Sequence, residues 1–278
     1  MLTELHCHTN YSKGRKIRVE GVNTVEEMIR TGAQKGIDVI AITDHDTVKA
    51  HAVARIAAKR HDILFIPGIE VSTSAGHIVA LGIEEMIRPD LSVDETLDII
   101  HDQGGIGIAS HPFDVRREGI GKQCIKCDAI EAFNALNLER LSNWRADKFA
   151  GRNRKPVTAG SDAHSIEMIG YGLNNIKAER NIDSVIKAIR NGKNTIVGSY
   201  PNVSIIQKWS TLRLQMSYES TRNYIIKNYK WPKKQISLKM LSFVKKSPGN
   251  IDYVLLGLAY LGVGFSFAYN LGQQLGDL

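Results

Sequence analysis

The chain has 278 residues, of which 43% are hydrophobic and 7% aromatic, enough to bury a core in one large domain or one domain with an appendage. Its three cysteines, Cys7, Cys124 and Cys127, are too few for a disulfide framework and point to a reducing compartment, the cytoplasm. The formal net charge of +7 is unevenly placed: residues 1–200 hold 26 Lys+Arg and 26 Asp+Glu, residues 201–278 hold 10 and 3, and a boundary is expected near Pro201.

The first apolar run ends at once in HCHTNYSK, residues 6–13. His6 and His8 stand where the apolar core of a signal peptide would have to be. On extended chain, residues two apart share a face, so the two imidazoles suit one metal ion and Cys7 points away from them. Residues 24–35 then read as a helix, following Asn23, with Glu26 and Glu27 in the first turn and Gly36 as a stop. Short apolar, β-branched runs follow at 38–46, 62–73, 77–82, 105–110, 129–134, 156–162 and 194–199. Helical patterns cover 47–60, the stretch after the Ser92/Glu95 capping box, 137–149 and 182–191. His51, His61 and His101 fall in these helices and are read as facing solvent. Alternating strands and helices argue a parallel sheet covered by helices, closed as a reduced, TIM-like (β/α)7 barrel. An open doubly wound sheet is the alternative, but no Gly-rich dinucleotide fingerprint follows the first strand.

The ends of the runs carry the chemistry. His6 and His8 end the first, Asp44 and His45 the second and Glu70 the third; His77 begins the fourth, His111 follows the fifth, and Asp162 and His164 follow PVTAG. Any one of these alone reads as a cap or a hydrogen-bonded structural residue. Their recurrence at matching ends does not, and imidazoles with carboxylates in excess of four imply more than one Zn, Mn or Fe ion. The CIKC at 124–127 has no second pair and reads as incidental.

At this point HCHTNYS, ITDHDT, GIEVST with GHIVALG, ASHPF and GSDAHS resemble, in order, the motifs of the polymerase and histidinol phosphatase (PHP) superfamily, over about residues 1–200. The resemblance implies a seven-stranded α/β barrel with two or three divalent metals and hydrolysis of phosphoesters. By it, His6, His8, Glu70 and Asp162 hold one ion, Glu70 bridges to a second with His77 and His111, and His45 and His164 belong to a third. The family often places an acid or histidine near position 13, where this chain has Lys13. Lys13, Arg116 and Arg117 are candidates to neutralise a substrate phosphate, and Asp44 is expected to orient a ligand histidine. The expected function is metal-dependent hydrolysis of a phosphate mono- or diester, the substrate being a small phosphorylated metabolite, a nucleotide or an oligonucleotide end. The alternative is a barrel kept as a regulatory or nucleic-acid-binding module with reduced catalysis.

Residues 201–278 lie outside that pattern. A basic stretch with interleaved aromatics precedes YVLLGLAYLGVGFSFAYNLGQQLG, residues 253–276, whose strongly apolar part, 253–269, is at the short end of the ~17–25 residues a membrane span requires. Three readings compete: a C-terminal anchor at the cytoplasmic face of a membrane, a basic-aromatic nucleic-acid surface, and a helical appendage packed on the barrel or in a dimer. The anchor is favoured, because the glycines at 257, 262, 264 and 272 suit a membrane helix better than a soluble one.

Overall fold

A computed structural model describes residues 1–14 and 16–276, with side chains described through residue 272. In chain order the elements are β1 (Leu2–Glu4), α1 (Val25–Gln34), β2 (Val39–Ile42), α2 (His51–Arg60), β3 (Leu64–Ser72), β4 (His77–Leu81), α3 (Val93–Asp102), β5 (Ile106–Ala109), β6 (Ala129–Asn134), α4 (Leu141–Arg152), β7 (Val157–Gly160), β8 (Gly172–Ile176), α5 (Ile182–Arg190), β9 (Asn194–Gly198), α6 (Val203–Met216), α7 (Tyr218–Asn228), α8 (Lys233–Val244) and α9 (Ile251–Gly276).

The strands form one sheet in the order β7-β6-β5-β4-β3-β2-β1-β8-β9. It curls back on itself, for Cys7 pairs in parallel with Ala163 and the His8 N–H donates to the Ala163 carbonyl at 2.8 Å. The seam is completed by a side chain: the Asn174 amide donates to Ala159 O at 2.8 Å and accepts from Ala159 N at 2.9 Å, taking the place of a backbone ladder between β8 and β7. β1 to β7 thus make the expected barrel, and β8 with β9, joined through α5, form an antiparallel pair along its seam. β8 was not expected, since GLNNI offers too little apolar character.

The all-parallel reading fails at β4, which runs antiparallel to both β3 and β5. Only Thr73–Gly76 joins it to β3, and a parallel return needs a crossover of about a dozen residues. Thr73 closes this turn by donating from backbone and hydroxyl to Gly76 O, at 2.8 and 2.6 Å. Gly76 has φ +142°, and a Cβ there would lie 2.6 Å from Glu118 O. The reversal puts His77, first in its strand, at the same barrel end as residues that are last in theirs.

Period-2 alternation divides the core. Val39 and Ala41 face the barrel interior with Ile66, Val79 and Ile108, where Val185, Ile186 and Ile189 of α5 also pack. Ile40 and Ile42 point outward under α1 and α2, and α3 and α4 cover the β4–β6 side. Helix boundaries follow the caps. α1 is capped by Thr24 with Glu27, one residue later than Asn23 suggested, and α3 by Ser92 with Glu95 as expected. α2 begins at His51 rather than residue 47, and α4 spans Leu141–Arg152 rather than 137–149. His51 is not solvent-facing: it is buried, with Nε2 2.9 Å from Gly68 O. His61 is half-covered against Glu26, and His101 is exposed beside Asp128.

The thiols are structural. Cys7 donates to Ala41 O at 3.2 Å, away from its flanking histidines, and burial pushes Cys124 and Cys127 up to about 12, leaving them unreactive near neutral pH.

The tail is helical and folds over the barrel mouth. The Trp209 indole of α6 donates to Glu20 O at 2.8 Å, and the Asn270 amide of α9 is buried against Glu139 and Ser142. This is the geometry of a packed appendage rather than of an anchor. α9 is nevertheless long and apolar enough over Ile251–Gly272 to cross a membrane, by length and composition. Residues 277 and 278 lie outside the described residues.

Candidate metal centre

One end of the barrel gathers all the expected ligand residues. His6 and His8 follow β1, His45 follows β2, Glu70 is in β3, His77 starts β4, His111 follows β5, and Asp162 and His164 follow β7. His111 and Asp162 adopt left-handed backbone, φ +31° and +49°, at the points where the chain turns back toward the centre. Such conformations are uncommon for non-glycine residues and cluster at functional sites.

Glu70 is the hub. Its Oε2 is 3.2 Å from both His6 Nε2 and His8 Nε2, and 3.4 Å from His45 Nδ1. Its Oε1 is 3.1 Å from His111 Nε2 and 3.4 Å from His77 Nδ1. Asp162 Oδ1 is 3.3 Å from His8 Nε2 and 3.6 Å from His6 Nε2. His164 lies on the far side of His8, ring centroids 4.2 Å apart, and its Nδ1 donates to Asp162 O at 2.8 Å, which leaves Nε2 as the lone-pair nitrogen. Three groups have ligand atoms close enough to share an ion: His6/His8/Glu70, His45/Glu70/His77 and His8/His45/His164. Converging ring nitrogens such as His6 Nε2 and His8 Nε2, 3.2 Å apart, cannot all donate to one another, and buried His111 Nδ1 has no hydrogen-bond partner. A crowd of lone-pair donors around buried carboxylates fits divalent cations.

The electrostatics agree. Burial alone would raise the Glu70 carboxyl; His6, His45 and His77 overcome it and hold it well below the usual range. Burial opposes ionisation of Asp162 too, and His6, His8 and His164 hold it well below as well. Burial would depress His8 and His111, but neighbouring carboxylates lift both to about 9: Asp162 and Glu70 for His8, Glu70 and Asp114 for His111. His45 and His164 are driven well below the ordinary value, chiefly by burial, with His8 adding to it, while Glu70 at His45 and Asp162 at His164 pull the other way without prevailing. A metal-free site therefore holds protons where an ion would otherwise supply positive charge.

Several functional residues were not singled out from the sequence. Glu131, a lone charge in the apolar strand AIEAFN, accepts from His6 Nδ1 and from the His111 backbone N–H, both at 2.8 Å, and so orients the His6 ring and holds the His111 main chain in place. Gly160 makes room for it, since a Cβ there would collide with Glu131 Oε1 and lie 2.7 Å from His6 Cβ. Asp44 does not orient a histidine as expected; it accepts from Thr9 N at 2.6 Å and Thr9 Oγ1 at 2.7 Å, pinning the turn after His8.

Lys13 is also resolved. Its backbone pairs with Val19, and its ammonium donates to Asn10 O at 2.8 Å. The turn that this makes delivers Glu20, whose Oε2 is 3.3 Å from His45 Nε2. An acid thus stands beside His45 although position 13 carries a lysine. Burial raises the Glu20 pKa, and Arg213 of α6 counteracts it.

A pocket of about 930 Å³ opens above these residues. Lys13, Arg116 and Arg117 all line it, as do Arg213 and Trp209 from α6 and Gly262 and Ser266 from α9. Arg116 bridges Asp114 and Glu118, at 3.0 and 3.2 Å, and reaches to 3.7 Å from Asp162 Oδ2. Arg117 donates to the Tyr269 hydroxyl at 2.6 Å. The Trp209 ring lies 4.7 Å from that of His164, so the tail forms part of the site wall.

Comparison with known proteins agrees with the geometry. An uncharacterized protein of Methanocaldococcus jannaschii is 33% identical over 149 residues, 51% of this chain and 87% of that protein. Phosphoribosyl 1,2-cyclic phosphate 1,2-diphosphodiesterase of Eggerthella lenta is 33% identical over 91 residues, 31% of this chain; the match spans only 32% of that enzyme. Among solved structures, a two-domain protein from Bacteroides vulgatus containing a predicted PHP-like metal-dependent phosphoesterase shares the fold, with TM-score 0.60 and 16% identity over 76% of this chain and 69% of that one. The PHP domain model matches residues 4–142 and the PHP-associated model residues 140–194, and with these histidines and carboxylates gathered at the barrel mouth the chain belongs to the PHP family.

Proposed function

We propose that this protein is a metal-dependent phosphoesterase that hydrolyses a phosphate mono- or diester. The observation that carries the reading is Glu70, a fully buried carboxylate with each oxygen turned to its own set of imidazoles. In this reading His6, His8, Glu70 and Asp162 hold one ion, Glu70, His77 and His111 a second, and His45 and His164 a third, with Glu20 supplying the acid. Bound divalent ions at such a site activate a water and neutralise phosphate charge. The chain's own residues do the rest. Glu131 fixes the ring of His6 and the main chain of His111. Arg116, anchored on Asp114, is poised to meet a phosphate oxygen beside Asp162. Arg117 and Lys13 reach the same pocket, but each is engaged elsewhere, on Tyr269 and Asn10, and must turn to take part.

The pocket and one relative support a substrate class. Its volume accommodates a nucleotide-sized phosphate ester or the end of an oligonucleotide, and the Eggerthella lenta relative is named for hydrolysing a phosphodiester. Glu20 beside His45 supports the catalytic reading over the binding-module alternative. The test is to strip the full chain of metal, reload it with Zn, Mn or Fe(II), count the ions bound, and assay phosphomonoesters, cyclic nucleotides and short RNA. Metal-dependent turnover supports the proposal. Ions bound without hydrolysis of any substrate would favour the regulatory module.

A further inference from the structure

Helix α9 is inside out. At about 100° per residue, Ala259, Gly262, Val263, Ser266 and Asn270 share one arc, which faces the pocket and the barrel. Tyr253, Val254, Leu258, Leu261 and Phe265 lie on the other side, and are 79%, 51%, 40%, 59% and 75% exposed. A helix on the surface of a soluble domain buries its large apolar residues and shows water its small and polar ones. This helix does the reverse, and contiguous exposed apolar surface of that kind marks an interaction site.

The inward arc is already committed. Asn270 is 0% exposed; its amide donates to Glu139 Oε1 at 3.1 Å and to Ser142 Oγ at 3.0 Å, and its carbonyl oxygen accepts from Arg145 at 3.1 Å. A helix held along one side by a polar barrel mouth cannot be ringed by lipid. Its apolar length therefore does not make it a membrane span.

We propose that the outward face of α9 docks the protein peripherally on an anionic lipid surface, with the helix lying in the plane of the interface. Charge favours lipid over a second copy of the chain. The whole excess of +7 lies in residues 201–278, with Lys245 and Lys246 in the short link from α8 to α9. Two copies meeting through this face would bring like charges together, whereas an anionic surface neutralises them. The aromatic residues fit as well: Trp231, between α7 and α8, is 81% exposed, and Tyr253 and Tyr260 are 79% and 54% exposed. Rings with one polar edge settle at the headgroup level. Because Gly262 and Ser266 on the inward arc line the pocket, docking holds the metal centre close to the bilayer.

The test is flotation of the full chain with phosphatidylcholine vesicles with and without phosphatidylserine, beside light scattering of the protein alone. Binding is expected to rise at least about tenfold with phosphatidylserine and to weaken at high salt. The double variant Leu261→Asp/Phe265→Asp is expected to lose about a hundredfold or more in binding while keeping the wild-type metal content, which shows that the barrel is folded. A monomer that floats with neither vesicle overturns the proposal. So does a stable dimer dispersed by the same double variant, since a second copy then covers the face. Protein that resists alkaline carbonate and leaves membranes only in detergent would show a span instead.

Discussion

Replacing Glu70 by glutamine tests the centre at its hub. The side chain is fully buried, and five imidazole nitrogens lie between 3.1 and 3.4 Å of its two oxygens. Glutamine keeps the shape and removes the charge. At an effective dielectric of about 20, one unit charge at about 4 Å from another is worth about 4 kcal/mol. Even if relaxation and water recover most of that, the residual loss at each of two ions exceeds tenfold. The expected outcome is a fall of at least ~10² in kcat/KM, with fewer ions retained after dialysis. Metal analysis and steady-state kinetics on the same preparation measure both. Circular dichroism would check that the barrel persists, as the packing around position 70 is conserved in volume. Full metal content with near-normal turnover would refute the idea that this carboxylate serves two ions.

The other expectations are independent of one another. Glu20→Gln should cost at most one ion per chain, the one near His45, with the ions at His6 and His111 kept; loss of all metal would show that the sites do not load separately. Trp209→Ala removes a buried ring and the hydrogen bond to Glu20 O, and should cost about 3–5 kcal/mol in a denaturant titration together with the same ion. Arg116→Ala should raise KM about tenfold or more for a charged substrate, while Lys13→Ala should change it less than about threefold, because that ammonium rests on Asn10 O; the reverse ranking would reassign the phosphate contact. In the metal-free protein His8 and His111 have pKa values raised to about 9. Their protonated rings stabilise the fold fully below about pH 6.5, and that contribution is lost as pH rises through about 9. Binding a divalent ion expels these protons, so the gain in Tm on adding Zn or Mn should grow from pH 6.5 to 9, and calorimetry in buffers of different ionisation enthalpy should detect proton release. A metal-induced gain independent of pH would contradict the raised values.

What the sequence disclosed and what it hid follow from the range of each interaction. His6, His8, His45, Glu70, His77, His111, Asp162 and His164 could be read because each stands at the end of an apolar run, and in a barrel all such ends meet at one rim. Even β4, whose reversed direction was not expected, kept His77 at that rim, because a strand entered by a tight turn begins where its predecessor ends. Glu20 was hidden for the opposite reason. It sits in a polar turn without periodicity, and only the pairing of Lys13 with Val19 shows that the chain doubles back to bring it to His45. Glu131 was half visible, as a charge in a buried strand must find partners, but nothing local says that these are His6 and the His111 amide. The tail was hardest. Its charge and apolar content were plain, yet anchor and appendage have the same composition. What separates them is Asn270: its amide is satisfied by Glu139 and Ser142, residues more than a hundred positions away in sequence. A polar side chain near the end of an apolar helix reads locally as a mere interruption, and only the tertiary fold turns it into the fastening that lays the helix across the site.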